Sequence, residues 1–242
     1  MLTMRDHAVE DYTDLLDMDA TDVGVLGDDD RACLDELGRY LVETDSWQRF
    51  AIWLLHKHFD PSSDEVFVER AIDAPRRIET TLVERSAVGE EVLNTTAFRF
   101  DLAVDSGVGV IGMEFCGPAD FGPTSPVSVE DSEVLAGIAQ RLQAHAKGNR
   151  FGVKLVRDPL GLAPDEVLLE TCDTAHRLLS SDVTERSSIR PGSFVETVWN
   201  YRPVQDGAEI IVMQDCNIGC FTGAGEGHTL QHGQGEGDNQ DD

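Results

Sequence analysis

The sequence predicts an α+β fold: an N-terminal helical hairpin, a mainly antiparallel β-sheet, and one central helix between two strand-rich sections. Three observations predict it. Apolar residues recur at helical spacing between positions 33 and 58. Alternating or continuous apolar runs dominate 66–115 and 151–214. Between these sections, 128–148 carries a capped helical pattern.

Residues 1–27 form an acidic, weakly patterned arm. The first helix follows Asp28, Asp29 and Asp30, acids suited to a helix N-terminus. Cys33, Leu34, Leu37, Tyr40 and Leu41 make its apolar face. Ser46 can cap a second helix with Trp47, Phe50, Ala51, Leu54, Leu55 and His58 on one face, and Asp60-Pro61-Ser62-Ser63 ends it. The pair is an α-hairpin over 29–59.

Strands are expected over 66–72 and 78–85. Phe98, Phe100, Leu102 and Val104 alternate with Arg99, Asp101 and Ala103, the mark of a half-buried strand. Val108 to Phe115 is nearly all apolar, as in a strand covered on both faces. Gly117-Pro118 and Gly122-Pro123 break the chain, and 120–127 is the best candidate for an internal boundary. Ser128 and Asp131 open the central helix, Val134, Leu135, Ile138, Ala139 and Leu142 form its stripe, and Gly148 stops it. Strands follow over 151–157, 167–172, 176–183, 194–201 and 210–214. Residues 28–222 thus read as a single α+β domain, and 223–242, rich in Gly, Gln and acid, as a disordered tail. The two strand-rich sections are alike in outline, but no sequence repeat supports a duplication.

Lys+Arg total 19 against 46 Asp+Glu, a net charge of −27. Backbone recognition of nucleic acid needs clustered cations. The chain has no basic run, and its charge repels polyanions and anionic membranes alike. Only Lys57, Lys147 and Lys154 are lysines. Acid spread along the whole chain with so few lysines reads as a halophilic protein, working where a Debye length of about 3 Å screens self-repulsion. No apolar run reaches a membrane span, and Met1 to Asp30 lacks the pattern of a secretion signal, so a cytoplasmic location is expected. Cys33, Cys116, Cys172, Cys216 and Cys220 are odd in number and irregularly spaced, which argues against a disulfide framework.

The densest cluster of ligand-type residues lies near the C-terminus: Cys216, Cys220, His228 and His232. Thiolate and imidazole are the usual zinc ligands, and the intervening glycines let a loop fold back on an ion. The competing reading packs both cysteines in a final strand and leaves the histidines in the tail. His56 and His58 sit at the end of the expected second helix. Positions two apart on a helix face different ways, so they make a poor ligand pair unless the helix has already ended. A helix C-terminus does favour a cationic histidine.

Glu114, in an apolar strand beside Cys116, is a candidate general acid or base, since burial raises an unpaired carboxyl. The alternative is a carboxylate that faces solvent or pairs with an arginine. Gly107-x-Gly109-x-x-Gly112 precedes a strand rather than a helix and is a chance match to a dinucleotide fingerprint. Two functions remain. One is a binding or structural protein with a zinc site built from Cys216, Cys220, His228 and either His232 or His56. The other is a hydrolase or lyase with Glu114 and His56 or His58 as acid and base.

The charge makes one prediction. Circular dichroism followed from molar to millimolar KCl should show loss of structure, as unscreened repulsion expands the fold. Unchanged ellipticity at low salt contradicts the halophilic reading.

Overall fold

The run Phe50-Ala51-Ile52-Trp53-Leu54-Leu55 is apolar at every position. Such a run suits a strand when both of its faces are covered. In the computed structural model, which describes residues 2–18, 23–88, 93–102, 107–190, 194–206 and 209–221, it is a strand, and all of Phe50–Leu54 is buried. Phe50, Ile52 and Leu54 join one apolar cluster, while Ala51, Trp53 and Leu55 join another. The expected second helix is therefore absent, and with it the helical hairpin. The first helix ends at Glu43, and Asp45, at a left-handed φ of 53°, turns the chain toward the strand.

The elements run in this order: β1 Leu2–Asp6, α1 Val9–Thr13, α2 Asp28–Glu43, β2 Phe50–Leu54, β3 Glu65–Asp73, β4 Arg76–Glu84, α3 Arg85–Val88, β5 Asn94–Asp101 and β6 Val108–Cys116. Then come α4 Pro118–Phe121, α5 Ser132–Ala144, β7 Phe151–Leu155, β8 Glu166–Asp173, β9 Leu178–Glu185, β10 Phe194–Asp206 and β11 Glu209–Phe221. Ten strands close a ring in the order β6-β3-β4-β9-β8-β11-β10-β2-β7-β5, with β5 returning to β6. β1 lies outside the ring, parallel to the first half of β6. The β3–β6 and β8–β11 pairs are also parallel, and the remaining pairs are antiparallel. The fold is thus a closed mixed β-barrel, not α+β with a helical hairpin. Closure removes the exposed edges that an open sheet would have to protect.

The two apolar clusters are the two faces of this wall. Leu34, Leu37 and Leu41 of α2 and Leu135, Ile138 and Leu142 of α5 pack on one face, against Phe50, Phe98, Phe151 and Trp199. The other face looks into the barrel and carries Trp53, Phe67, Met113, Leu168 and Ile218, with Tyr12 of α1 packed among them.

The barrel is built twice. Helix, strand, hairpin, hairpin occurs as α2, β2, β3–β4, β5–β6 and again as α5, β7, β8–β9, β10–β11. Matching residues sit at a constant offset of 101, from Phe50 to Phe151, Leu54 to Leu155, and the positive-φ residues Asp45 to Ala146. Ion pairs between the halves are reciprocal. Arg49 meets Asp131 at 2.5 Å and Arg150 meets Asp30 at 3.7 Å. Arg76 meets Glu166 and Arg177 meets Glu65, both at 2.9 Å.

Leu54 is fully buried on the helix-facing side of β2. Replacing it with Ala should cost roughly 2–5 kcal/mol in denaturant unfolding, the range for a core leucine. A loss below about 0.5 kcal/mol would place that side chain outside the core.

Candidate metal centre

Beyond β2 the chain stays extended. Lys57 N donates to Leu16 O at 3.0 Å, and Met18 N donates to Lys57 O at 2.9 Å, so the N-terminal arm holds Lys57 like a short strand partner. Side chains two apart in extended chain face the same way. His56 and His58 do so, with their Nε2 atoms 3.1 Å apart. His56 Nδ1 donates to Leu54 O at 2.7 Å, which turns Nε2 toward His58, Glu170 and Cys220. A backbone acceptor of this kind is the usual support behind a metal-binding imidazole.

The other two residues come from the second half. Glu170 of β8 and Cys220 of β11 are direct partners in the parallel ladder, so their side chains leave the same face of the sheet. Cys220 Sγ is 2.8 Å from Glu170 Oε2, 3.6 Å from His56 Nε2 and 3.9 Å from His58 Nε2. Glu170 Oε2 is 3.2 Å from His58 Nε2 and 3.8 Å from His56 Nε2. Four potential ligand atoms therefore converge within 4.8 Å of one another, in a set that can hold a metal ion.

Burial alone would raise the Glu170 carboxyl, but hydrogen bonds and charge from His56 and His58 hold it well below the usual carboxylate range. Burial, reinforced by Glu170, pushes the Cys220 thiol well up. Without an ion, Cys220 is a thiol that donates to Glu170, and that proton must leave when the sulfur ligates.

Across the barrel interior lies a second charged group. Lys154 meets Glu69 at 2.8 Å and also contacts Glu114, while Arg157 contacts Glu69. Arg157 also donates to Cys116 Sγ at 3.3 Å and to Asp120 O at 3.0 Å. Burial would raise Glu69, but Lys154 and Arg157 hold it down at about 2. Glu114 is pushed up to about 7, first by burial and then by Glu69, against the pull of Lys154. The space shared by Glu114, Lys154, Glu170 and the two histidines is about 20 Å³, room for roughly one water.

Cys220 belongs to the cluster, but its partners are His56, His58 and Glu170. Cys216 lies opposite Trp199 in the β11 backbone, and its side chain, with all of His228, His232 and the tail over 223–242, lies outside the described residues. His56 and His58 stand on extended chain rather than at a helix end, which removes the objection to them as a ligand pair. Glu114 is half-buried and pairs with Lys154 rather than with an arginine or a histidine. Cys33, Cys116, Cys172 and Cys220 are free thiols. Spacing along the chain does not mark Glu170 as a ligand, although Glu65-Val-Phe-Val-Glu69 and Glu166-Val-Leu-Leu-Glu170 share a visible pattern.

Among the described residues no helix is long and apolar enough to cross a membrane. No protein-family model, curated protein or solved structure matches the chain.

Because the folded value of Glu114 lies above its ordinary 4.5, this group favours the fold most at low pH and loses that contribution as pH rises through about 7. Glu114→Gln should therefore flatten the fall in stability between pH 5 and 8, measured by denaturant midpoint at fixed high salt. Superimposable wild-type and variant profiles contradict this.

Proposed function

We propose that the chain is a metal-stabilised binding or structural protein, in which a zinc ion held by His56, His58, Glu170 and Cys220 fastens the two halves of the barrel together. The observation that carries the reading is the set of six ligand-atom separations, all between 2.8 and 3.9 Å. Tetrahedral zinc, with bonds of about 2.0–2.1 Å to nitrogen and 2.3 Å to sulfur, asks for separations of about 3.3–3.6 Å. The ligand set is mixed nitrogen, sulfur and oxygen. Calcium and magnesium take oxygen, and copper(II) prefers planar geometry, so zinc fits best.

A structural role is supported over a catalytic one. Four protein ligands fill the tetrahedron, whereas catalytic zinc keeps one position open. The adjoining space admits roughly one water and no substrate. The hydrolase or lyase alternative has less support, since Glu114 is engaged by Lys154. Two ligands come from each half, so an ion here would join segments far apart in sequence, and its binding energy would add to folding energy.

Metal analysis of protein purified at high salt should give one zinc per chain. Chelation should lower the thermal midpoint by roughly 5–10 °C, the effect of losing a ligand present at about a hundredfold over its dissociation constant. Cys220→Ser should lose the metal, and Cys216→Ser should keep it. A metal-free protein indifferent to chelators, or loss of metal in Cys216→Ser alone, overturns the reading.

A further inference from the structure

The duplication places the charged cluster of the first half where the second half has its ligand cluster. Glu69 pairs in register with Cys116 in the parallel β3–β6 ladder, and Glu170 pairs with Cys220 in the parallel β8–β11 ladder. Glu69 and Glu170 are separated by the same offset of 101 that relates the rest of the two halves. Cys116 and Cys220 are 104 apart, the extra three residues falling in the longer β10–β11 hairpin. Two residues past the end of the strand that follows the helix, the first half has His56 and the second has Arg157. The side chains cross over between the halves: His56 reaches Glu170 and Cys220, and Arg157 reaches Glu69 and Cys116.

Each half therefore buries one carboxylate and one thiol at the same place, and each is completed by a residue from the other half. A buried carboxylate requires a cation. In one place a guanidinium supplies it, with Lys154 beside it. In the other, two imidazoles, the Cys220 thiol and the Ser181 hydroxyl stand around Glu170, and none of them is a permanent cation like a guanidinium. We propose that the barrel carries two equivalent cation seats, that Arg157 is the built-in cation of the Glu69–Cys116 seat, and that Arg157 is the residue restricting metal to one ion per chain. The inference rests on the metal reading of the His56 cluster and extends it. A guanidinium and a divalent ion are alternative occupants of one architecture, and Arg157 is the residue that fills the first seat.

The test is to give the occupied seat the imidazoles of the other. Arg157→His with Pro159→His, made on a Cys220→Ser background, leaves Cys116 as the thiol available to a metal at the altered seat. Cobalt(II) is the probe, since a cobalt–thiolate bond gives a near-ultraviolet charge-transfer band. The expected result is a band in this variant that is missing from Cys220→Ser alone and disappears when Cys116→Ser is added. If wild type shows the band and the altered seat shows none, Arg157 is not what excludes metal, and the inference fails while the metal reading stands. If wild type shows no band, the metal reading fails by itself, and the band of the altered seat still decides the inference. Should the variant not fold, Arg157→Ala decides: its lowered thermal midpoint should recover in millimolar methylguanidinium, and absence of recovery overturns the proposal.

Discussion

A carboxylate carried into a closed sheet cannot stay charged without a cation beside it, and this barrel carries one inward at the same position in each half. Glu69 and Glu170 are in register with a cysteine in a parallel ladder, on an inner face otherwise built largely of apolar residues such as Trp53, Phe67, Leu168 and Ile218. An unpaired charge there would cost several kcal/mol even after relaxation. For Glu69 the compensation is Arg157 and Lys154. For Glu170 it is the edge of two imidazoles and, in the function proposed, a metal ion. Much of the architecture serves these two positions. The strands β2 and β7 deliver His56 and Arg157 across to the opposite halves, and the N-terminal arm keeps Lys57 extended so that His58 turns inward beside His56.

The duplication explains why so few contacts between halves are isolated. Arg49 with Asp131 has its counterpart in Arg150 with Asp30, and Arg76 with Glu166 in Arg177 with Glu65. Pairs at the surface contribute little each. Their reciprocity instead fixes how β2 meets β7 and β4 meets β9, the two antiparallel seams where equivalent strands of the halves face one another. All three lysines are likewise committed to ion pairs, Lys57 with Asp60, Lys147 with Asp30 and Lys154 with Glu69.

Strand positions were largely legible in the sequence, and the barrel was not. Val66 to Ile72, Val108 to Phe115 and Phe151 to Arg157 read as strands because their apolar runs are short and bounded by turn residues. Phe50 to Leu55 read as helix because a run apolar at every position satisfies either period. Only the burial of both faces, a tertiary fact, chooses the strand. The repeat is faint in the sequence because it survives mainly in framework residues such as Arg49 and Arg150 or Glu65 and Glu166, while the site residues differ, His56 in one half standing where the other has Arg157. The ligand cluster was half legible for a related reason. His56, His58 and Cys220 are of recognisable type, but their assembly depends on a strand end, a parallel ladder and an arm from residues 16–18, none of which spacing along the chain can convey.

The central claim is that one ion sits between the halves with a single thiolate among its ligands. X-ray absorption at the zinc edge, on protein loaded with one equivalent and kept at high salt, tests it most directly. The account predicts one sulfur at about 2.3 Å, together with nitrogen and oxygen neighbours at about 2.0–2.2 Å and the outer-shell pattern of two imidazoles. Two sulfurs in the first shell, or a shell of six oxygens, would contradict it.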